Sequence, residues 1–203
     1  MKNKDLLELE FKKSIKCSKD IAFWNYWDYE HLDVVHSGYK QSDVLYDKDN
    51  FAFSINQVKI PVLSFLSFMT PIFMVQHDKN TLYAFAIQMG VISKTTIKIK
   101  EVTMDSCEIT MNYKFFLNGW RKLLRPILKI LIPKWNEKVW VEDYPVKIRR
   151  QKMLDMNFKD FKGLPRNIKE RKSKKNKYVL KLPLPRPKKS TRDLHPLAKN
   201  FKE

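Results

Sequence analysis

Asn25-Tyr-Trp-Asp28-Tyr-Glu-His31-Leu-Asp-Val-Val-His36 places an amide, a carboxylate and two of the chain's four histidines within one short stretch. Two neutral imidazoles and a carboxylate arriving from elsewhere in the chain are what a mononuclear non-haem Fe(II) centre with open coordination positions requires. On one ideal helix, positions 31 and 36 would differ in direction by about 140°, too far for both rings to meet one ion. Such chemistry therefore demands that the segment unwind or form a π-like turn, a distortion often found at functional sites. A plainer alternative stays open. The same residues could sit on an ordinary helix, with both rings in the core or in water, Asp28 and Glu30 solvated, and Asp143 a helix cap two residues before Pro145.

The spacing N-x-x-D-x-x-H-x-x-x-x-H resembles the iron motif in the catalytic domain of Rieske-type ring-hydroxylating oxygenases. The resemblance implies that His31 and His36 are metal ligands and that Asp28 hydrogen-bonds a ligand histidine on the electron path. It also implies that Asn25 lies near the iron. A carboxylate that takes the second N–H of a metal-bound imidazole fixes its tautomer and raises its basicity. Val139-Trp-Val-Glu-Asp-Tyr-Pro-Val-Lys-Ile-Arg-Arg-Gln151 resembles the family's late segment, in which a carboxylate lies at the start of the last helix. Asp143 is the choice for third ligand there and Glu142 the alternative. The family's Rieske domain carries C-x-H and C-x-x-H cluster ligands, and this sequence, whose cysteines are Cys17 and Cys107, has no such motif. The cofactor implied is therefore Fe(II) without a Rieske cluster in this chain, with electrons from a separate donor protein.

Several elements must position these residues. Residues 7 to 17 alternate and read as a strand; Ser18 then caps a helix, with Asp20 in its first turn, that runs from Ile21 to about Val35 and closes at Gly38. From Tyr39 to Phe116, strand-like segments are separated by turn signals at Asp47–Asn50, His77–Asn80 and Met104–Ser106. Thr95 to Val102 alternates cleanly. A helical region from about Gly119 to Asp155 is interrupted by Pro126, Pro133 and Pro145. That order resembles the helix-grip fold of START-like (SRPBCC) domains across residues 5 to 158, an α+β class in which a curved antiparallel sheet wraps a long C-terminal helix. Residues 1–160 are expected to form this domain and 161–203 an extended or disordered basic tail.

Composition bounds the function. Apolar residues make up 43% and aromatics 13% of the 203 residues, enough for one sizeable core. Two cysteines supply neither a disulfide framework nor a structural zinc pair, so a reducing compartment is expected. Acidic residues interrupt the N-terminus before any signal-like apolar run forms, and the longest uncharged stretch, Ile60 to Gln76, carries two prolines and falls short of a spanning helix. The expected location is the cytoplasm, peripheral to a membrane at most. Residues 161 to 203 hold 15 Lys/Arg against 3 Asp/Glu, which is most of the net charge of +18. With Pro183, Pro185 and Pro187, that tail suits an anionic membrane surface or nucleic acid. Arg121, Arg125 and Lys129 recur at i, i+4, i+8 among apolar residues, a pattern that fits either an anionic membrane or a helix packed in the grip. Phe65, Phe68, Met69, Phe73 and Met74, with Trp24 and Trp27, are candidates to line an apolar pocket. Three functions follow: an iron oxygenase-like protein acting on an apolar or aromatic substrate, a metal-free START-like carrier of a lipid or other hydrophobic ligand, or an interaction protein whose basic tail engages nucleic acid or anionic lipid with the domain as its anchor.

Overall fold

The computed structural model describes residues 5–48, 50–60 and 65–156. The whole of the expected tail, 161–203, with its histidine His195, lies outside the described residues. Seven strands form one antiparallel sheet in the order β1-β7-β6-β5-β4-β3-β2. They are β1 (Leu6–Ile15), β2 (Tyr39–Lys48), β3 (Phe51–Lys59), β4 (Ser67–Asp78), β5 (Thr81–Gln88), β6 (Val91–Thr103) and β7 (Ser106–Phe116). Alternation drives the pairing: β3 buries every second residue, from Ala52 to Val58, which fixes one face inward and leaves no freedom to slip by one residue. Register shifts between Tyr39 and Gln41 and between Val44 and Tyr46 interrupt β2, and irregularities of this kind bend and twist a sheet locally.

The chain leaves edge strand β1 and reaches the opposite edge, β2, through α1 (Lys19–Trp27), a 3-10 turn (Tyr29–His31) and α2 (Leu32–Val35). After β7, a second 3-10 turn (Gly119–Leu124) leads into α3 (Arg125–Asp155). Ile21, Ala22, Trp24 and Tyr29 share the main core with Leu82, Ile97, Ile99 and Ile109 of the sheet and with Trp140, Ile148 and Leu154 of α3. A smaller cluster joins Leu7, Val91, Phe115 and Leu117 to Leu124, Leu128 and Ile132 near the start of α3.

Four expectations need correction. The helix thought to run from Ile21 to Val35 breaks at Asp28, whose backbone is extended (φ −77°, ψ 91°); the segment unwinds through a 3-10 turn and not a π-like one. The prolines do not interrupt α3. Pro126 occupies its first turn and Pro133 and Pro145 lie inside it, so packing along the whole helix outweighs two missing N–H groups. Phe65 and Met69 are exposed, Met69 because strand alternation turns it away from the face that buries Thr70. His77, placed by sequence in a turn, lies in β4 one residue before its end and packs against Tyr83, ring centroids 4.9 Å apart.

Candidate metal centre

The break at Asp28 solves the spacing problem of His31 and His36. His31 ends the 3-10 turn, and His36 follows α2 with extended backbone (φ −97°, ψ 116°). The change of direction brings the two rings to a centroid separation of 5.3 Å. Ser18 anchors the start of this segment: its hydroxyl accepts from the Ile21 N–H, and its own N–H donates to Gln151 Oε1 of α3 at 2.8 Å.

Asp143 meets both rings from the middle of α3, not from a helix start as the family resemblance implied. Its Oδ1 lies 3.2 Å from His31 Nε2 and 3.1 Å from His36 Nε2. The three potential ligand atoms all lie within 4.8 Å of one another, and all three residues are buried. Two donors each about 2.1 Å from one ion, at angles between octahedral and tetrahedral, would sit about 3.0–3.4 Å apart. The two nitrogen–oxygen distances match that spacing. Glu142, the alternative third ligand, points elsewhere: its Oε2 faces His36 Nδ1 at 3.1 Å, and its Oε1 accepts from the hydroxyl and N–H of Ser37. Asp28 Oδ2 lies 3.6 Å from His31 Nδ1.

Each ring thus presents Nε2 to Asp143 and Nδ1 to a second carboxylate. A neutral imidazole has only one N–H. One N–H cannot serve both carboxylates that face His36 at 3.1 Å, which calls for a cation on its Nε2 side; His31 Nδ1, 3.6 Å from Asp28, has no hydrogen-bond partner among the described residues. The fields agree with that need. Burial alone would raise the Asp143 carboxyl, but hydrogen bonds from both histidines and the Lys147 ammonium hold it far below the usual carboxylate range. Burial pulls His31 down, and the Asp143 and Asp28 carboxylates overcome this and raise it. Glu142 is lowered, burial notwithstanding, by Ser37 and His36. Asp28 is lowered against its own burial by His31 and then Arg150.

Two cations that sequence reading passed over complete the cluster. Lys147, fully buried, donates to Asp143 Oδ2 at 2.7 Å, and its Nζ lies 4.6 Å from the Tyr26 ring centroid and 5.4 Å from that of Trp140. Burial pulls its ammonium down and Asp143 resists. Arg150 bonds Asp28 Oδ2, donates to Asn25 Oδ1 at 2.8 Å and stacks on Trp24. Asn25 is therefore joined to the histidines through Arg150 and Asp28 and touches neither ring in any recorded bond; its Nδ2 is buried without a hydrogen-bond partner among the described residues. The signal for both cations was their spacing from Asp143, at i+4 and i+7 on one face of a helix.

No protein-family model matches the sequence. No curated protein matches it either. Solved structures do match in shape. An aromatase/cyclase, Zhui, from Streptomyces sp. R1128 is 7% identical with a TM-score of 0.63, covering 71% of this chain and 95% of that one. Norcoclaurine synthase from Thalictrum flavum, in complex with dopamine and hydroxybenzaldehyde, is 14% identical with a TM-score of 0.52, covering 71% and 87%. Human STARD10 is 12% identical with a TM-score of 0.51, covering 76% and 73%. At these identities the likeness establishes the helix-grip, START-like fold and no activity.

Proposed function

We propose that this protein binds an apolar small molecule between its sheet and α3 and holds beside it one divalent metal ion on His31, His36 and Asp143. The fold supports the first half: helix-grip relatives in shape include a norcoclaurine synthase solved with two small aromatic molecules. One observation carries the second half. Both His36 nitrogens face carboxylate oxygens at 3.1 Å, while His31 presents its Nε2 to the same Asp143 oxygen. An ion in place of the two Nε2 protons leaves each Nδ1–H to donate to Glu142 or Asp28, the hydrogen-bonding pattern that orients metal-bound histidines. Lys147 occupies Asp143 Oδ2, so the carboxylate offers one oxygen to the ion. With Fe(II) as that ion, two histidines and one carboxylate would supply dioxygen activation, as in the oxygenases the motif resembles, and the electrons would come from a separate protein.

A metal-free carrier is the second reading, and the structural neighbours support it better than they support an iron oxygenase. It has its own observation, because Lys147 and Arg150 already provide two positive charges against Asp143 and Asp28. Metal analysis of protein purified anaerobically separates the two. The metal reading expects about one equivalent of a divalent transition metal per chain, lost in His31→Ala and His36→Ala variants that keep a folded circular-dichroism spectrum. Wild-type protein that is folded, binds an apolar fluorescent probe and takes up no iron, manganese, cobalt or zinc after reconstitution is the carrier.

A further inference from the structure

The first turns of α3 are apolar on both sides. Leu124, Leu128 and Ile132 pack inward against Leu7, Val91, Phe115 and Leu117. On the other side Leu123, Ile127 and Ile130 form a stripe at i, i+4, i+7 that is 75%, 50% and 59% exposed, and Trp120 in the preceding turn is 62% exposed. Apolar residues beyond the packed face of a helix are ordinarily covered as well. This one leaves a stripe in the open.

The β5–β6 hairpin reaches the same end of the molecule. Val91 packs with Leu124 and Leu128, and a Cβ on Gly90 would stand 2.5 Å from the Arg121 guanidinium. Beside that contact the hairpin exposes Ile87, Met89 and Ile92. Met89 has a φ of 50° and Gly90 of 73°, so both turn residues are left-handed. Asn or Asp is favoured at the first such position, and an unbranched side chain like Met costs stability there. A strained, exposed methionine at the tip is a feature the fold does not need.

Charge identifies what covers this surface. Gly119 to Asn136 contains Arg121, Lys122, Arg125, Lys129 and Lys134 and no acidic residue, and the hairpin from Ala86 to Lys94 adds Lys94 and no acidic residue. Lys122 is partly engaged by Asp5, at 2.6 Å, and the rest of the flank stays basic. A second copy would set two such flanks against each other. A nucleic acid would answer the charge and leave Leu123, Ile127 and Met89 without apolar contact. Anionic lipid answers both, with acyl chains for the stripe and headgroups for its basic borders.

We propose that the Trp120–Ile130 stripe and the Ile87–Ile92 hairpin tip together form a docking face for an anionic bilayer, on which the protein lies without crossing it. Among the described residues no helix is long and apolar enough to cross a membrane. The surface stands independently of the metal centre, since none of its residues belongs to that cluster.

The test uses the full chain with sedimented vesicles of phosphatidylcholine, alone or mixed with phosphatidylserine. Wild-type protein should bind the mixed vesicles, retain part of that binding in high salt, and bind pure phosphatidylcholine weakly. Leu123→Asp combined with Ile127→Asp should lower partitioning at least about tenfold, from losing even one buried leucine-sized side chain. Met89→Asn relieves the strained turn, so it should weaken vesicle binding while keeping or raising the melting temperature, an outcome that misfolding cannot produce. Three results would overturn the proposal. They are absence of binding to anionic vesicles, binding that all these variants leave unchanged, which would assign it to charge elsewhere in the chain, and a concentration-dependent dimer in light scattering that Leu123→Asp abolishes.

Discussion

His36 is the residue whose surroundings demand most, because its two nitrogens meet Glu142 and Asp143 and a neutral ring can donate to only one. The proton affinity of His31 is raised by Asp143 and Asp28 against the effect of burial. A histidine raised on folding adds stability that is full below its unfolded value, about pH 6.5, and is lost as pH rises through the folded value. Asp143, lowered on folding, adds stability above about pH 3.9 that is lost in acid. Metal-stripped protein should therefore lose denaturant resistance from pH 6 to pH 8 relative to His31→Gln. Added metal should reverse that slope, since the ligands bind deprotonated and affinity grows with pH. Urea midpoints of both proteins, with and without metal, check this; a wild-type slope equal to that of His31→Gln contradicts it. Lys147→Met tests the neighbouring charge. Breaking a buried pair costs about 3–5 kcal/mol, and a bound ion should recover part of that, so metal should raise the melting temperature of the variant more than that of wild type. Equal increments would show that the ion and the lysine do not share Asp143.

At the scale of elements, the site depends on the corner between α2 and β2 resting on α3. Trp135 of α3 lies against Gly38, where an added Cβ would stand 2.3 Å from the indole, and it contacts the Tyr39 ring, which in turn lies 6.0 Å from His36. Gly38→Ala forces that indole to move. The expected cost is about 1–3 kcal/mol in chemical denaturation, with a loss of metal content greater than for an exposed control substitution such as Val34→Ala; a neutral Gly38→Ala would mean that the corner does not position His36. Most of this arrangement was legible in the sequence. The Ser18 cap, the turn signals and the alternation of Thr95 to Val102 gave the order of the elements, and the five-residue histidine spacing required a break in the helix. The kind of break was not legible, since it follows from how Tyr29, Leu32 and Val44 share the core with α3. Nor was the continuity of α3, because local proline penalties are outweighed by packing spread over thirty-one residues. Lys147 escaped notice for the same reason: a buried lysine reads as a solvated one until the helix face it occupies is known.

For the whole molecule, the sheet and α3 supply a rigid frame, and the net charge of +18 biases its surface toward anionic partners. The frame explains why residues more than a hundred positions apart, His31 and Asp143, meet in a region that local sequence cannot describe. Binding of an ion that the unfolded chain does not hold stabilises the whole domain. At a free concentration a hundred times Kd that is about 2.7 kcal/mol, or roughly 5–10 °C in melting temperature for a domain near 150 residues. The most direct test of the centre is anomalous diffraction from crystals grown with Co(II) or Fe(II) and measured on both sides of the metal edge. The account predicts one peak bounded by the Nε2 atoms of His31 and His36 and by Oδ1 of Asp143, with Lys147 still on Oδ2. Well-ordered side chains with no peak there, or a peak held by other residues, would contradict it.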